Sequence, residues 1–416
     1  MSFNFLRLAR RLIVGVVLAY TAVVLILGGT AAARPVFYAF ATGWILLLAM
    51  VTYLFRRRTN SAPPPLSLRL PELVCTNFAL TLLLAEGSLR AFAAWSGNPF
   101  LTSAPEDGYR LAAGQDYGAG LRGNRMGYPG GDFQHDKRPG VSRIAALGDS
   151  FAIGPAVPFA DNYLTVLEKS LPKVEVYNFG VAGIGPREYL SILRRDVWPY
   201  HPDLVLLSIF VGNDITETLA TPRHLDPRQH ALYLLCQRGW RIAWASGSPE
   251  MTVPNASNRC TSPPLSPQAY REVEARRLAI CFHSPPRGLE KKWERTFAYL
   301  AGVVQECKGH DVPLAVVLIP DEFQVNPAVL TDALAEARIA TSVVDLELPQ
   351  RRLSAFFGDR GVPCLDLLPA FGHARDLYAP FDTHWNVRGN RLAADQLRKW
   401  LCGQGWRAGM ATSGVP

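Results

Sequence analysis

The chain has 416 residues, of which 49% are apolar and 19% are charged. This composition excludes a disordered or collagen-like chain, and the length favours two or three structural units. The net charge of +8 comes from residues 1–71, which hold eight arginines and no acidic residue. Of the 43 basic residues in all, 35 remain in the rest of the chain and balance its 35 acidic residues. The charge therefore gives no reason to expect a nucleic-acid partner.

Residues 1–95 are predicted to form a membrane region. Leu12 to Leu27 and Pro35 to Phe55 are uncharged, and each is about long enough to cross a hydrocarbon layer of roughly 30 Å as a helix. A third apolar run, Pro71 to Arg90, carries Glu86 near its end. This run is predicted either to cross the membrane as well or to lie on its surface as an amphipathic helix.

The arginines predict the orientation of these spans. Arg7, Arg10 and Arg11 precede the first span, and Arg56 to Arg58 follow the second. Positively charged flanks stay in the cytoplasm, so a third span would place everything after residue 90 outside. Alternatively, Thr30 to Ala33 ends a cleaved signal peptide, which leaves the direction of the second span unchanged.

The remainder is predicted to be a Gly- and Pro-rich lead-in over residues 96–140, followed by an α/β domain over residues 141–410. Five apolar runs predict buried strands: Arg143–Leu147, Val174–Phe179, Leu204–Phe210, Leu314–Ile319 and Pro363–Leu367. Amphipathic stretches predict helices after most of them: Asn162–Ser170, Arg187–Trp198, Leu289–Cys307 and Asn386–Leu401. This alternation indicates a parallel sheet covered on both faces, with an insertion at about 215–288 beside the ligand edge.

The cysteines leave the disulfides undetermined. Cys75 lies in the third apolar run, and the other six lie in the neutral part of the chain: Cys236, Cys260, Cys281, Cys307, Cys364 and Cys402. An even count suits an oxidising compartment, but six cysteines allow fifteen pairings. Several, especially Cys364 and Cys402, are equally well read as buried thiols. No CxxC or closely spaced Cys/His group occurs, so neither a metal site nor a cofactor is expected.

Polar residues follow the first three predicted strands, where a parallel sheet binds its ligands. These segments are Gly148 to Ser150, Asn178 to Gly183, and Gly212 to Asp214; a fourth, Asp382 to Asn386, opens the last helix. A hydrolytic serine needs a base, a carboxylate that orients the base, and donors for the oxyanion. Groups at these four places can supply all three.

The four blocks, in this order, resemble the SGNH or GDSL hydrolase superfamily. The resemblance covers about residues 141–402 and implies a three-layer, flavodoxin-like fold. It also implies that Ser150 is the nucleophile and His384 the base, with the backbone N–H groups of Ser150 and Gly183 and the side chain of Asn213 as oxyanion donors. A different expectation for Asn213 is a plain turn residue.

One block departs from the superfamily pattern. The usual acid stands three residues before the histidine, where this chain has Phe381, whereas Asp382 stands two before it. The Asp-x-His spacing and the string DTHW are similar to the alginate-type polysaccharide O-acetyltransferases. Asp382 is therefore predicted to be the acid. The likeness further implies acyl, mainly acetyl, groups of a cell-surface glycan as substrate, on the extracytoplasmic side of a bacterial inner membrane.

The predicted function is a serine-dependent ester hydrolase or O-acyltransferase that works through an acyl-serine. The same residues serve either outcome, since only the acceptor differs. The alternatives are a catalytically idle glycan-binding or assembly component of a polysaccharide export system, and a lipid-ester hydrolase. Asp149 and Asp214 are expected to accept backbone hydrogen bonds in turns. Gly180 and Gly185 are expected to provide positive φ angles.

Overall fold

A computed structural model describes Gly87 and residues 110–111, 113–216 and 265–404. From residue 110 onward, the described residues belong to one compact unit formed by Asp107–Ala220 and Met251–Pro416. None of the helices in the described part is both long and apolar enough to cross a membrane. The predicted spans and most of the predicted insertion lie outside the described residues, as do Cys75, Cys236 and Cys260.

The core of the unit is a sheet of five parallel strands in the order β2-β1-β3-β4-β5. Their bounds are β1 Ser142–Leu147, β2 Val174–Asn178, β3 Leu204–Phe210, β4 Leu314–Ile319 and β5 Cys364–Asp366. The predicted parallel sheet is confirmed, and its order is the flavodoxin-like one. The strands could be located from sequence because strands covered on both faces form short continuous apolar runs.

Both faces of the sheet are apolar because successive side chains of a strand point in opposite directions. In β1, Ile144 and Ala146 join one buried cluster, whereas Ala145 and Leu147 join the other. Ile144 of β1 is in register with Val176 of β2 and Leu204 of β3, so the three strands lie side by side. The loops that follow these strands are therefore neighbours along one edge.

Two layers of helices cover the sheet. The helices are α1 Ser150–Ile153, α2 Tyr163–Ser170, α3 Pro186–Ile192, α4 Pro267–Arg277, α5 Leu289–Gly309, α6 Glu322–Val325, α7 Pro327–Ala337, α8 Leu348–Gly358, α9 Leu368–Gly372 and α10 Val387–Gly403. Apolar residues of α3, α5 and α8 pack on one face. Those of α2, α9 and α10 pack on the other, which completes the three layers.

The predicted helix Arg187–Trp198 is interrupted. Helix α3 ends at Ile192, a π-helical turn follows over Leu193–Val197, and a 3-10 turn closes the segment. Asp196 in the π turn accepts hydrogen bonds from the Tyr128 hydroxyl and the Arg110 guanidinium, both at 2.6 Å. These contacts anchor the lead-in segment to the domain. Because they join residues far apart in the chain, the helical periodicity of the segment did not reveal the turn.

Helix α4 was not predicted from the sequence, because it is largely polar. Helix α4 lies within the predicted insertion and begins at a serine cap, because the Ser266 Oγ accepts a hydrogen bond from the Ala269 N–H at 3.2 Å. Pro267 occupies its first position, where the missing N–H of proline is harmless. The serine and the proline thus marked the start of the helix in the sequence. Because α4 has only two buried residues, however, it lacks the apolar face by which a helix is predicted.

The cysteines of the described part are free thiols: Cys281, Cys307, Cys364 and Cys402. Cys281 and Cys307 are buried in the core, and burial raises the pKa of the Cys307 thiol to about 12. The expectation that Cys402 is buried is wrong, since it is exposed at the end of α10. It lies on the outward side of a helix whose inner side is apolar.

Candidate active site

Ser150 is held at the carboxyl end of β1 by a short turn. It is the first residue of α1, and the Asp149 carboxylate caps this helix by accepting a hydrogen bond from the Phe151 N–H at 2.9 Å. Gly154 ends the helix in the left-handed conformation, at φ 70°. The expected structural role of Asp149 is confirmed, and the turn presents the serine at the edge of the sheet.

Two asparagines fix the far end of α1. The Ala152 carbonyl accepts hydrogen bonds from the amides of Asn178, at 2.7 Å, and Asn162, at 3.1 Å. Asn178 also accepts from the Gly180 N–H at 2.8 Å, which joins the loop after β2 to α1. A Cβ at Gly180 would lie 2.6 Å from the Cβ of Ala152. Close packing thus explains this glycine.

The expectation of positive φ at Gly180 and Gly185 is wrong. Neither residue is among the described residues with positive φ, and Gly185 precedes α3 in an extended conformation at φ −148°. Gly185 is instead the N-cap of α3, where its N–H donates to the Glu188 carboxylate at 3.2 Å. Close packing at Gly180 and helix capping at Gly185 depend on neighbours in space, so the residues adjacent in sequence did not reveal them.

His384 lies in a closed loop between β5 and α10. The Ala379 N–H donates to the His384 carbonyl at 2.9 Å, and the Asp382 N–H donates to the Ala379 carbonyl at 3.1 Å. Asn386 then caps α10 by accepting from the N–H groups of Arg388 and Gly389. The loop therefore leads directly into a helix that is packed against the sheet.

The loop brings together three of the predicted site residues. His384 Nε2 lies 2.7 Å from Ser150 Oγ, and His384 Nδ1 lies 2.6 Å from Asp382 Oδ1. Because the Asp382 carboxylate accepts a hydrogen bond from the Nδ1–H, the unprotonated Nε2 can accept the serine proton. The His384 side chain is 18% exposed and that of Asp382 10% exposed. This is the arrangement of nucleophile, base and orienting acid that acyl transfer requires.

Aromatic packing holds the imidazole in place. The Phe151 ring lies 5.1 Å from the His384 ring and 4.9 Å from the Trp385 indole. Trp385 is 2% exposed and also packs against Phe371 at 5.0 Å. The residue that follows the nucleophile therefore supports the base from the same side of the sheet.

Two of the predicted oxyanion donors, Gly183 and Asn213, lie in the loops that follow the strands next to β1. Strands β2 and β3 flank β1, so the loops that carry Gly183 and Asn213 stand on either side of Ser150. Gly183 is exposed and has a φ of 67°. Asn213 is 8% exposed, and its Oδ1 accepts no hydrogen bond from any described residue. Their roles as donors stay predictions.

Asp214 has the structural role that the sequence suggested. Its carboxylate accepts hydrogen bonds from the Tyr189 hydroxyl at 2.9 Å and from the Phe210 N–H at 3.1 Å. The residue closes the turn after β3 and connects it to α3. The hydrogen bonds of Asp214 therefore stabilise the turn that carries Asn213.

A pair of buried carboxyl groups beneath this turn was missed by the sequence analysis. Glu274 and Asp321 are both fully buried, with the Arg277 guanidinium at 3.4 and 3.9 Å from them. A Cβ at Gly212 would lie 2.1 Å from Asp321 Oδ2, so the pair adjoins the Asn213 turn. Burial raises the pKa of both groups. Asp321 follows β4, so its position at a strand end was the available signal.

Comparison with protein families adds one match. Residues 283–411 match the family described as SGNH hydrolase-like domain, acetyltransferase AlgX. The matched segment includes Asp382 and His384, whereas Ser150, Gly183 and Asn213 lie before it. No curated protein matches the chain.

Several solved structures are similar to the chain at low identity. A member of the lipolytic protein G-D-S-L family from Veillonella parvula is 13% identical, with a TM-score of 0.32, over 62% of this chain and 97% of that one. The acetyl xylan esterase AlAXEase is 12% identical, with a TM-score of 0.34, over 62% and 99%. The esterase EstA from a Pseudoalteromonas species is 12% identical, with a TM-score of 0.32, over 63% and 99%. At these values none of the three bears on the reaction.

The family match falls on the block in which this chain departs from the usual superfamily spacing. It thereby confirms the similarity that the DTHW string suggested. Residues 283–411 of the chain therefore resemble the SGNH hydrolase-like domain of the acetyltransferase AlgX family.

Proposed function

We propose that this protein removes or transfers acyl groups, chiefly acetyl groups, of a cell-surface glycan through an acyl-serine intermediate. One observation carries the proposal. A single imidazole is hydrogen-bonded at once to the Ser150 hydroxyl, at 2.7 Å, and to the Asp382 carboxylate, at 2.6 Å. An idle glycan-binding module would have no use for this alignment.

In the first step His384 takes the Ser150 proton while the serine oxygen attacks the ester carbonyl carbon. The proton moves to Nε2, and the imidazolium that forms is stabilised by Asp382. As the tetrahedral intermediate collapses, the bond to the leaving alcohol breaks. His384 then gives its proton to that alcohol, and the acyl group stays on Ser150.

Negative charge develops on the former carbonyl oxygen during this step. The proposed donors are the N–H groups of Ser150 and Gly183 and the amide of Asn213, which stand at the ends of three adjacent strands. Donors that are already in place stabilise such charge without rearrangement. The hydrogen bonds of Asp214 and Asn178 fix the loops that carry them.

In the second step an acceptor hydroxyl attacks the acyl-serine. His384 takes the proton of that hydroxyl and returns it to Ser150, so the enzyme is regenerated. Water as acceptor gives hydrolysis, and a sugar hydroxyl gives transfer. The match of residues 283–411 to a family described as an acetyltransferase supports transfer over hydrolysis.

We also propose that residues 1–95 anchor the enzyme in the bacterial inner membrane with the catalytic domain outside the cytoplasm. The support is the placement of the arginines around the apolar runs. A periplasm-specific reporter fused after Trp95 should be active, and one fused after Arg58 should be silent. The reverse pattern would invert the topology.

The reaction itself is tested with the purified full-length chain and p-nitrophenyl acetate. The wild type should release acetate and, with added oligosaccharide, should form acetylated sugar at the expense of free acetate. Ser150→Ala should do neither. If Ser150→Ala retained turnover, the acyl-serine would be refuted, and unchanged acetate release with every oligosaccharide would favour the esterase.

A further inference from the structure

The residue next to the acid of the triad has an unusual conformation. Phe381 stands where the superfamily usually has its acid, and its φ of 51° lies in the left-handed region. A bulky side chain is strained there. The residue is also 39% exposed, and in the described part of the chain only Val343 is a comparably exposed large hydrophobic. Stability alone would favour asparagine or glycine at this position.

The Phe381 ring lies at the edge of the sheet where the site is built. It packs edge-on against Tyr270, with 5.8 Å between the ring centroids and 82° between the planes. Tyr270 is buried, and its hydroxyl donates to the Glu322 carboxylate, which follows Asp321 after β4. Through Tyr270 the ring is thus connected to the segment after β4, at the ligand-binding edge of the sheet.

Phe381 belongs to the same closed loop as Asp382 and His384. The two hydrogen bonds that close this loop, Ala379 to His384 and Asp382 to Ala379, enclose it on both sides. The loop backbone that carries the ring is therefore held in a fixed relation to Asp382 and His384. The exposed ring projects from the same loop as these two residues.

We propose that Phe381 is a platform for the apolar face of a sugar ring, namely the glycan that carries or receives the acyl group. This inference rests on the proposed function and names the place where its substrate lies. The strain and the exposed apolar area are explained if the ring is covered by substrate during the reaction. Phe381 would be a binding residue that determines specificity and would take no part in the chemistry.

The surroundings favour a sugar over a long acyl chain. A long chain needs an extended apolar surface, but Val343 is the one other exposed large hydrophobic among the described residues. The neighbour of the ring is instead Tyr270, whose hydroxyl donates to Glu322, and Glu322 also accepts from the Asn326 amide at 3.0 Å. Its carboxylate oxygens have further lone pairs for sugar hydroxyl groups.

The test replaces the ring without changing the backbone. Asparagine tolerates the left-handed conformation, so Phe381→Asn in the full-length chain should melt no lower than the wild type. Its KM for acetylated xylotetraose or acetylated tetramannuronate should rise about tenfold. Its loss of kcat/KM on p-nitrophenyl acetate, which carries no sugar, should be smaller than its loss on the sugar esters. Phe381→Trp should restore the low KM, and Val343→Asn is the matched control.

Three outcomes would overturn the platform. The first is a wild-type KM for both sugar esters that is no lower than the KM for ethyl acetate. The second is an unchanged KM for the sugar esters in Phe381→Asn. The third is a loss of kcat/KM on p-nitrophenyl acetate that equals the loss on the sugar esters. Binding of the deacetylated tetrasaccharides to Ser150→Ala, measured by calorimetry, gives a readout that needs no catalysis. Tighter binding to Ser150→Ala than to Ser150→Ala/Phe381→Asn supports the platform even if the reaction proposed above fails.

Discussion

The two ends of β1 carry polar networks of opposite kinds. At the amino end the Arg143 side chain is 1% exposed and makes an ion pair with Glu175 at 2.7 Å. Its other nitrogens donate to the carbonyls of Tyr200, His135 and Asp136, and the guanidinium lies 4.4 Å from the centre of the Tyr177 ring. The hydrogen-bonding capacity of this buried charge is used within the protein.

At the carboxyl end the network of Ser150, His384 and Asp382 is partly open. The imidazole is 18% exposed, and the Oδ1 of nearby Asn213 has no donor among the described residues. A buried charge whose partners are complete holds the fold together, whereas polar groups left incomplete at a strand end are available to a substrate. The same residue types thus serve stability at one end and chemistry at the other.

The largest effect is expected from breaking the open network. Ser150→Ala and His384→Ala should each lower kcat by several orders of magnitude, because the triad acts as a unit. Asp382→Asn should lose on the order of 10⁴-fold, since the imidazole would no longer be held in the required tautomer. The measurement is p-nitrophenyl acetate turnover, with the exposed His373→Ala as control. Near-normal rates in Asp382→Asn would show that the acid has been misassigned.

Breaking the closed network should affect stability instead. Arg143→Met leaves Glu175 buried without its main partner, which should destabilise the fold by about 3 to 5 kcal/mol. Arg138 meets the same Glu175 at 3.5 Å but is 73% exposed, so Arg138→Met should cost at most about 1 kcal/mol. Thermal unfolding of both variants measures the difference. Equal melting temperatures would mean that burial does not distinguish the two pairs.

A smaller effect is expected at the oxyanion turn. Asn213→Ala should lower kcat by about 100- to 1000-fold, equivalent to about 2.7 to 4 kcal/mol, because one donor to the transition state is lost. KM should barely change. Steady-state kinetics on p-nitrophenyl acetate, with circular dichroism as a check of folding, provides the measurement. A folded variant with the wild-type rate would make Asn213 a plain turn residue.

The smallest effect concerns the carboxyl pair beneath that turn. Glu274 Oε2 and Asp321 Oδ2 have no donor in the described part of the chain, and one proton shared between them satisfies both. Because burial raises the pKa of both groups, the folded state keeps a proton that the unfolded chain releases. The stability from this pair is present below the ordinary carboxyl pKa and is lost as the pH rises through the raised values.

Glu274→Gln replaces the shared proton by an amide hydrogen. Its melting temperature should therefore gain on the wild type as the pH rises above about 4.5, by an amount equivalent to about 1 kcal/mol. Melting curves at several pH values measure this difference. Glu272→Gln, exposed on the same helix, is the control. A difference that does not vary with pH would count against the shared proton.

The strands were readable from sequence, and so were the blocks at their ends. Strands β3 and β4 begin and end at the predicted residues, because continuous apolar runs are a local property of chains buried on two faces. The block order similarly placed Ser150 and His384 together at one edge, where the structure has them 2.7 Å apart. The roles assigned to Gly183 and Asn213 stay predictions.

Other features depend on contacts between distant segments. The burial of Arg143, the pairing of Glu274 with Asp321 and the contact of Phe381 with Tyr270 each join residues from different elements. No local pattern marks a charged residue that will be buried or a phenylalanine that will stay exposed, since both are decided by which elements pack together. The sequence by itself determined the order of strands and chemical groups along the chain. Only the tertiary structure decided which of those groups are satisfied by the protein and which are left for a ligand.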